Sequence, residues 1–153
     1  MSSNGLSVLG QGTGSVPRIS SLLIKPVSAV CNLDCAYCFY LDREADPYQS
    51  LPGRRMTAET LERLVETYLF YSYPSGVFAF QGGEPTLAGI GFFEKAVEYQ
   101  KRYGRTGQIV SNSIQTNGLL IDEHWCGLFK QYKWLIGVSL DGPEPMQDRK
   151  SGV

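Results

Sequence analysis

Three cysteines lie close together in Cys31-Asn32-Leu33-Asp34-Cys35-Ala36-Tyr37-Cys38, at spacing C-x3-C-x2-C. Thiolates gathered this way can hold a metal centre. A 4Fe–4S cluster takes Cys ligands, usually four. Three ligands from one short loop would leave one iron open to another molecule, and that open iron is the chemistry the spacing offers. Zinc is the alternative, with a fourth ligand from elsewhere in the chain. Outside the motif the only other cysteine is Cys126 and the only histidine His124. Zinc sites usually pair two C-x2-C knuckles, and there is no second pair here. Mutual disulfides are disfavoured by the geometry of three cysteines in one turn-sized segment. The cluster leads, with zinc and plain structural thiols left open.

Three further groups of residues carry chemistry. Gly82-Gly83-Glu84-Pro85 puts two residues without side chains where backbone can approach a ligand and where carbonyls can accept from an ammonium group. Gln115-Thr116-Asn117 and Ser139 with Asp141 supply hydrogen-bonding groups. Taken singly, the glycine segment reads first as a tight turn, and the other two equally well as turns or caps. Together with the cysteines they describe a pocket for a ligand whose amino group and carboxylate can chelate an iron.

The elements that must position these groups alternate. Leu22–Val27 reads as a short buried strand ending at the cysteine loop, with Pro26 near its end. Asp42–Arg55 is polar and rich in turn residues, hence a loop. Thr57 is placed as the N-cap of a helix whose apolar residues Leu61, Leu64, Val65, Tyr68 and Leu69 fall on one face. Val77–Gln81 is a second strand, and Phe92–Tyr103 a second helix followed by Gly104, a good C′ residue. Gln108–Gln115 is a third strand. Ile121, Trp125, Leu128, Phe129 and Tyr132 mark a third helix, and Trp134–Leu140 a fourth strand. Strand–helix alternation implies an α/β fold with parallel pairing. Four strands and three helices make about half of a β/α barrel. Every chemistry-bearing group falls just after a strand, at the end where barrel enzymes build their sites.

Composition narrows the function classes. The chain has 153 residues, 42% hydrophobic and 19% charged, with a net charge of −1. Such a chain forms a core and has no basic excess to attract nucleic acid. No run is apolar enough to span a membrane. Residues 1–17 are expected to be a flexible tail. Gly10-Gln11-Gly12-Thr13-Gly14 within them lacks the strand and helix that a phosphate loop needs. The tail has no apolar segment typical of a secretory signal, which with the clustered thiols points to a cytoplasmic protein.

The stretches LLIKPVSAVCNLDCAYCFY, FAFQGGEPTLAG, SNSIQTNGLLIDEHW and VSLDGP occur in that order. On them the chain resembles the radical S-adenosylmethionine superfamily, and within it the anaerobic sulfatase-maturating enzymes. The resemblance implies the N-terminal portion of a radical-SAM partial (β/α) barrel, with residues 18–153 as a core domain truncated at its C-terminus. It implies that Cys31, Cys35 and Cys38 hold a 4Fe–4S cluster. Tyr37 would lie on the adenine side of S-adenosylmethionine, Gly82, Gly83 and Glu84 would receive its amino group, and Ser139 would contact it. Arg149 is the candidate for a further cofactor contact, although it follows Ser139 more closely than the family pattern has it. A side chain on Gly83 is expected to clash with the cofactor while leaving cluster content near normal.

The activity so implied is reductive cleavage of S-adenosylmethionine to a 5′-deoxyadenosyl radical, which takes a hydrogen atom from a sulfatase Cys or Ser on its way to formylglycine. The partners implied are a sulfatase or another peptide or protein substrate, and an electron donor such as flavodoxin or ferredoxin. A maturase of a different peptide, and a non-enzymatic zinc-binding fragment, are the other readings. Tyr40 is open between facing substrate and packing, and no substrate base can be named. Cys126 is expected to be a buried thiol and His124 an exposed helix residue.

Overall fold

A parallel four-stranded sheet in the order β1-β2-β3-β4 is the frame of the molecule: β1 Ser21–Ile24, β2 Ser75–Phe80, β3 Ile109–Thr116 and β4 Leu135–Val138. Helices α1 Ala58–Tyr71, α2 Ile90–Tyr103 and α3 Glu123–Tyr132 alternate with the strands, and a 3-10 turn, Pro85–Ala88, precedes α2. This computed structural model describes residues 18–38, 40, 55–140 and 142. The expected tail at 1–17, nearly all of the polar loop at 42–55, Asp141 and Arg149 lie outside the described residues.

Local sequence explains the helices. The Thr57 hydroxyl accepts from the Thr60 N–H at 3.1 Å, and the Asp122 carboxylate accepts from the Trp125 N–H at 3.0 Å. Each satisfies one of the backbone donors a helix start leaves unpaired. Leu61, Val65, Tyr68 and Leu69 form the buried stripe of α1. Phe93, Ala96, Val97, Tyr99 and Gln100 do so for α2, and Trp125, Leu128 and Phe129 for α3.

The stripes pack on one face of the sheet. Ile24, Phe78, Phe80 and Ile114 point into that layer and are almost wholly buried. Aromatic rings close it: Phe80 stacks on Trp134 at 5.4 Å, and Phe93 meets Trp125 edge-on at 5.1 Å. Among the described residues, no helix packs on the opposite face. Leu23, Ala79, Ser113 and Leu135 are aligned across it, and Leu23 and Leu135 are 53% and 73% exposed. Because all strands run the same way, their C-terminal ends share one edge, and everything in the next section is built there.

Element types agree with the sequence reading, while several boundaries differ for physical reasons. The first strand stops at Ile24, since Pro26 has no N–H for the ladder, and Pro26 and Val27 instead fold into a buried turn. The fourth strand is shorter than expected because Trp134 turns into the core ahead of it. Gly104 ends α2 in an extended conformation, φ −64°. Its N–H bonds to the Gln100 carbonyl, and a Cβ would stand 2.7 Å from that oxygen. Cys126 is exposed, contrary to the expected burial, because its position on α3 falls off the stripe. His124 is exposed, as expected.

Candidate active site

The chain leaves β1 through a turn in which Ser28 adopts φ +56°. The next residues lie along the segment after β2: Gly83 N–H donates to Ser28 O at 2.9 Å, and Glu84 N–H to Val30 O at 2.8 Å. The cysteine loop is therefore fastened by its base to the Gly82-Gly83-Glu84 segment. That fastening explains both glycines. A Cβ on Gly83 would fall on the Val30 carbonyl and 2.5 Å from the Ala29 oxygen. Gly82 has φ +130°, and its Cβ would meet Ser28 O at 2.5 Å. What a side chain at Gly83 meets first is thus the backbone just before Cys31, which corrects the expectation that a substitution there leaves cluster content near normal.

Glu84 is 1% exposed, and its carboxylate is engaged on both oxygens. Oε1 accepts from Thr86 N–H at 2.9 Å, from the Thr86 hydroxyl at 2.6 Å and from the Thr116 hydroxyl at 2.8 Å. Oε2 accepts from Asn117 N–H at 2.7 Å. A buried carboxylate is costly without such partners. Here uncharged donors surround it, and in return it locks the end of β2 to the end of β3. The Asn117 amide continues outward, donating to Asn32 Oδ1 at 2.8 Å and to Cys31 Sγ at 3.9 Å. Leu33 N–H donates to the same sulfur at 3.4 Å. Hydrogen bonds to ligating sulfurs are one lever on the potential of an iron–sulfur centre.

A cavity of about 220 Å³ opens over these groups. It is lined by Cys31, Cys35 and Cys38 with Tyr37 and Tyr40, by Gly82, Gly83 and Glu84, and by Gln115, Thr116, Asn117 and Ser139. Tyr37 is 58% exposed. Tyr40 lies beneath the Lys25 ammonium, 5.0 Å from its ring centre. Eight of the nine residues singled out for the cofactor and the cluster meet here, and Arg149 is outside the described residues.

The donor set suits an iron–sulfur cluster. The three cysteines are free of disulfides, partly exposed, and line one shared cavity. Neither Cys126 nor His124, the fourth ligands considered for zinc, lines this cavity. Cys126 lines a separate apolar hollow beside Phe129 and Trp134.

Two participants escaped the sequence reading. Thr86, which gives Glu84 two of its hydrogen bonds, carried a visible signal: an acid two residues before a Thr at a helical start. Gly137, which lies beside the Gln115 side chain, carried none, because only the register of β3 on β4 brings the two together.

A parallel β/α sheet with a three-cysteine loop after its first strand and a glycine-rich turn after its second defines a class, and the chain belongs to the radical SAM superfamily, whose pattern matches residues 26–152. It is 42% identical over 128 residues to a serine-type anaerobic sulfatase-maturating enzyme of Bacteroides thetaiotaomicron, covering 83% of this chain and 30% of the relative. It is 45% identical over 128 residues to a cysteine-type anaerobic sulfatase-maturating enzyme of Clostridium perfringens, covering 84% of this chain and 34% of the relative. A solved structure of native anSMEcpe with bound AdoMet superposes with a TM-score of 0.77 at 44% identity, over 86% of this chain and 35% of that one. The chain thus spans about a third of the length of the curated relatives it matches.

Proposed function

We propose that this chain carries the cofactor-binding part of a radical SAM enzyme that matures sulfatases, converting a Cys or Ser of the target to formylglycine. The observation that carries the reading is the convergence of three thiols, the Gly82-Gly83-Glu84 segment, Asn117 and Ser139 on one cavity. Cys31, Cys35 and Cys38 would hold a 4Fe–4S cluster, which when bound supplies the electron that cleaves S-adenosylmethionine. The chain's own residues bind and orient. The backbone of Gly82 and Gly83 receives the amino group, Tyr37 covers the adenine side, and Ser139 bonds the cofactor from the fourth strand end. Arg149 is the candidate for a further contact. Glu84 acts indirectly, holding its own segment to β3 through Thr116 and Asn117. Residues 18–153 are assigned to one core domain, with 1–17 as a tail ahead of it.

The substrate is a sulfatase peptide, in line with the names of the relatives and with the structure titled native anSMEcpe with bound AdoMet and Cp18Cys peptide. The electron donor is a small redox protein of the flavodoxin or ferredoxin kind. A loop of free, partly exposed thiols suits a reducing compartment, which supports a cytoplasmic protein. No helix among the described residues is long and apolar enough to cross a membrane.

The test is anaerobic reconstitution of the chain with iron and sulfide. About four irons per chain and a spectrum that changes on adding S-adenosylmethionine are expected, and zinc without iron would refute the cluster. Serine and cysteine sulfatase peptides are both assayed by mass spectrometry in the full-length context, because identities of 42% and 45% favour neither type.

A further inference from the structure

We infer that Gln115 is a positioning residue that fixes the Ser139 hydroxyl as a hydrogen-bond donor into the cavity, and that Gly137 is a glycine to make room for it. The inference rests on the cofactor-binding reading above.

Gln115 pairs with Gly137 across β3 and β4, and Ser139 follows two residues later, just past the end of β4, with its N–H on the Thr116 carbonyl at 2.9 Å. The Gln115 amide occupies the space beside Gly137. A Cβ there would fall on Gln115 Oε1, and would stand 3.1 Å from Cδ and 3.5 Å from Nε2. Any other residue at 137 would push the amide away. Lying as it does, Gln115 donates from Nε2 to Ser139 Oγ at 3.0 Å. A serine hydroxyl has one proton and two lone pairs. With one lone pair taken by an N–H, its proton cannot turn back toward Gln115 and is offered to an acceptor elsewhere. Both side chains are exposed and both line the cavity that holds the three thiols. Gln115 thereby decides the polarity of Ser139: a donor suited to an oxygen acceptor on the cofactor. A group at 115 that could only accept would reverse it.

Gln115→Glu makes that reversal at constant size, since a carboxylate takes the Ser139 proton. Anaerobic calorimetry on the cluster-loaded chain measures the Kd for S-adenosylmethionine, with iron content and thermal midpoint as controls. Gln115→Glu and Gly137→Ala are each expected to weaken binding by about tenfold or more, the scale of one lost hydrogen bond to a polar or charged group. Iron content should be unchanged. In a Ser139→Ala background, Gln115→Glu should add less than about twofold, because the two residues act as a unit. Wild-type affinity in both single variants overturns the inference, as does an equal loss with and without Ser139. A wild-type chain that loads its cluster but binds no S-adenosylmethionine overturns the cofactor reading itself, and this role with it.

Discussion

The buried carboxylate of Glu84 accepts a 2.7 Å hydrogen bond from the backbone N–H of Asn117, and so joins the glycine-rich turn after β2 to the end of β3. Its other oxygen takes three donors from Thr86 and Thr116. Glu84→Gln turns one acceptor into a donor facing a donor and should cost about 2 kcal/mol. Glu84→Ala strands all the donors in the interior and should cost roughly 3 to 4 kcal/mol. Denaturant unfolding of the cluster-free chain measures both. A loss near zero would mean that water replaces the carboxylate.

Glycines in this chain answer to different constraints, and two alanine substitutions separate them. Gly83→Ala drives a methyl into the carbonyls of Ala29 and Val30, so the loop carrying Cys31 must shift. Iron retained after reconstitution should fall to less than half of the wild-type value. Gly127 lies in α3 with open space where its Cβ would be. Gly127→Ala should therefore stabilise the fold by about 0.5 to 1 kcal/mol, by helix propensity alone. Thermal midpoints moving in opposite directions would bear this out.

The sequence shows the chemistry more clearly than the boundaries. The cysteine spacing, the glycine pair and the polar strand ends are local, and alternation alone puts them on one edge of a parallel sheet. What escaped is tertiary. That Gly83 is small for the sake of Val30, or Gly137 for the sake of Gln115, depends on which segments are brought side by side. Cys126 was misplaced because a thiol beside a buried Trp125 reads as core, whereas α3 turns it outward by about 100° from that neighbour. Trp134 reads as strand from its β-propensity, but its ring is needed against Phe80 and the strand begins after it.

Gln100 and Asn112 form a reciprocal amide pair between α2 and β3, with N–O distances of 2.8 and 2.9 Å, and both are buried. Breaking it from one side leaves a buried amide unpaired. Asn112→Leu should cost about 2 to 3 kcal/mol. Gln100→Leu on top of it should recover part of that loss, since no amide is then left unsatisfied. A double-mutant cycle from urea unfolding measures the coupling. Strict additivity would show that the two amides do not depend on one another.

Tyr68 ties α1 to β2. Its hydroxyl donates to Val77 O at 3.1 Å and accepts from Val77 N–H at 2.9 Å. Burial pushes its pKa above the ordinary 10.0, outweighing the opposite pull of the Val77 backbone bond and of Arg18. The folded state therefore holds this proton more tightly than the unfolded chain does. The resulting stability is fully present below pH 10 and is lost as pH rises through the folded value. Tyr68→Phe removes the hydroxyl and should cost about 1 kcal/mol at neutral pH, because Val77 N–H keeps the Ser20 carbonyl at 3.1 Å. The variant should also lose less stability than the wild type between pH 9 and 11. Tyr103 is raised as well, chiefly by its bond to Glu62, and contributes to the slope of both proteins, so their difference isolates Tyr68. Unfolding curves at each pH measure it, and parallel decline in the two proteins would show that the Tyr68 proton is not linked to folding.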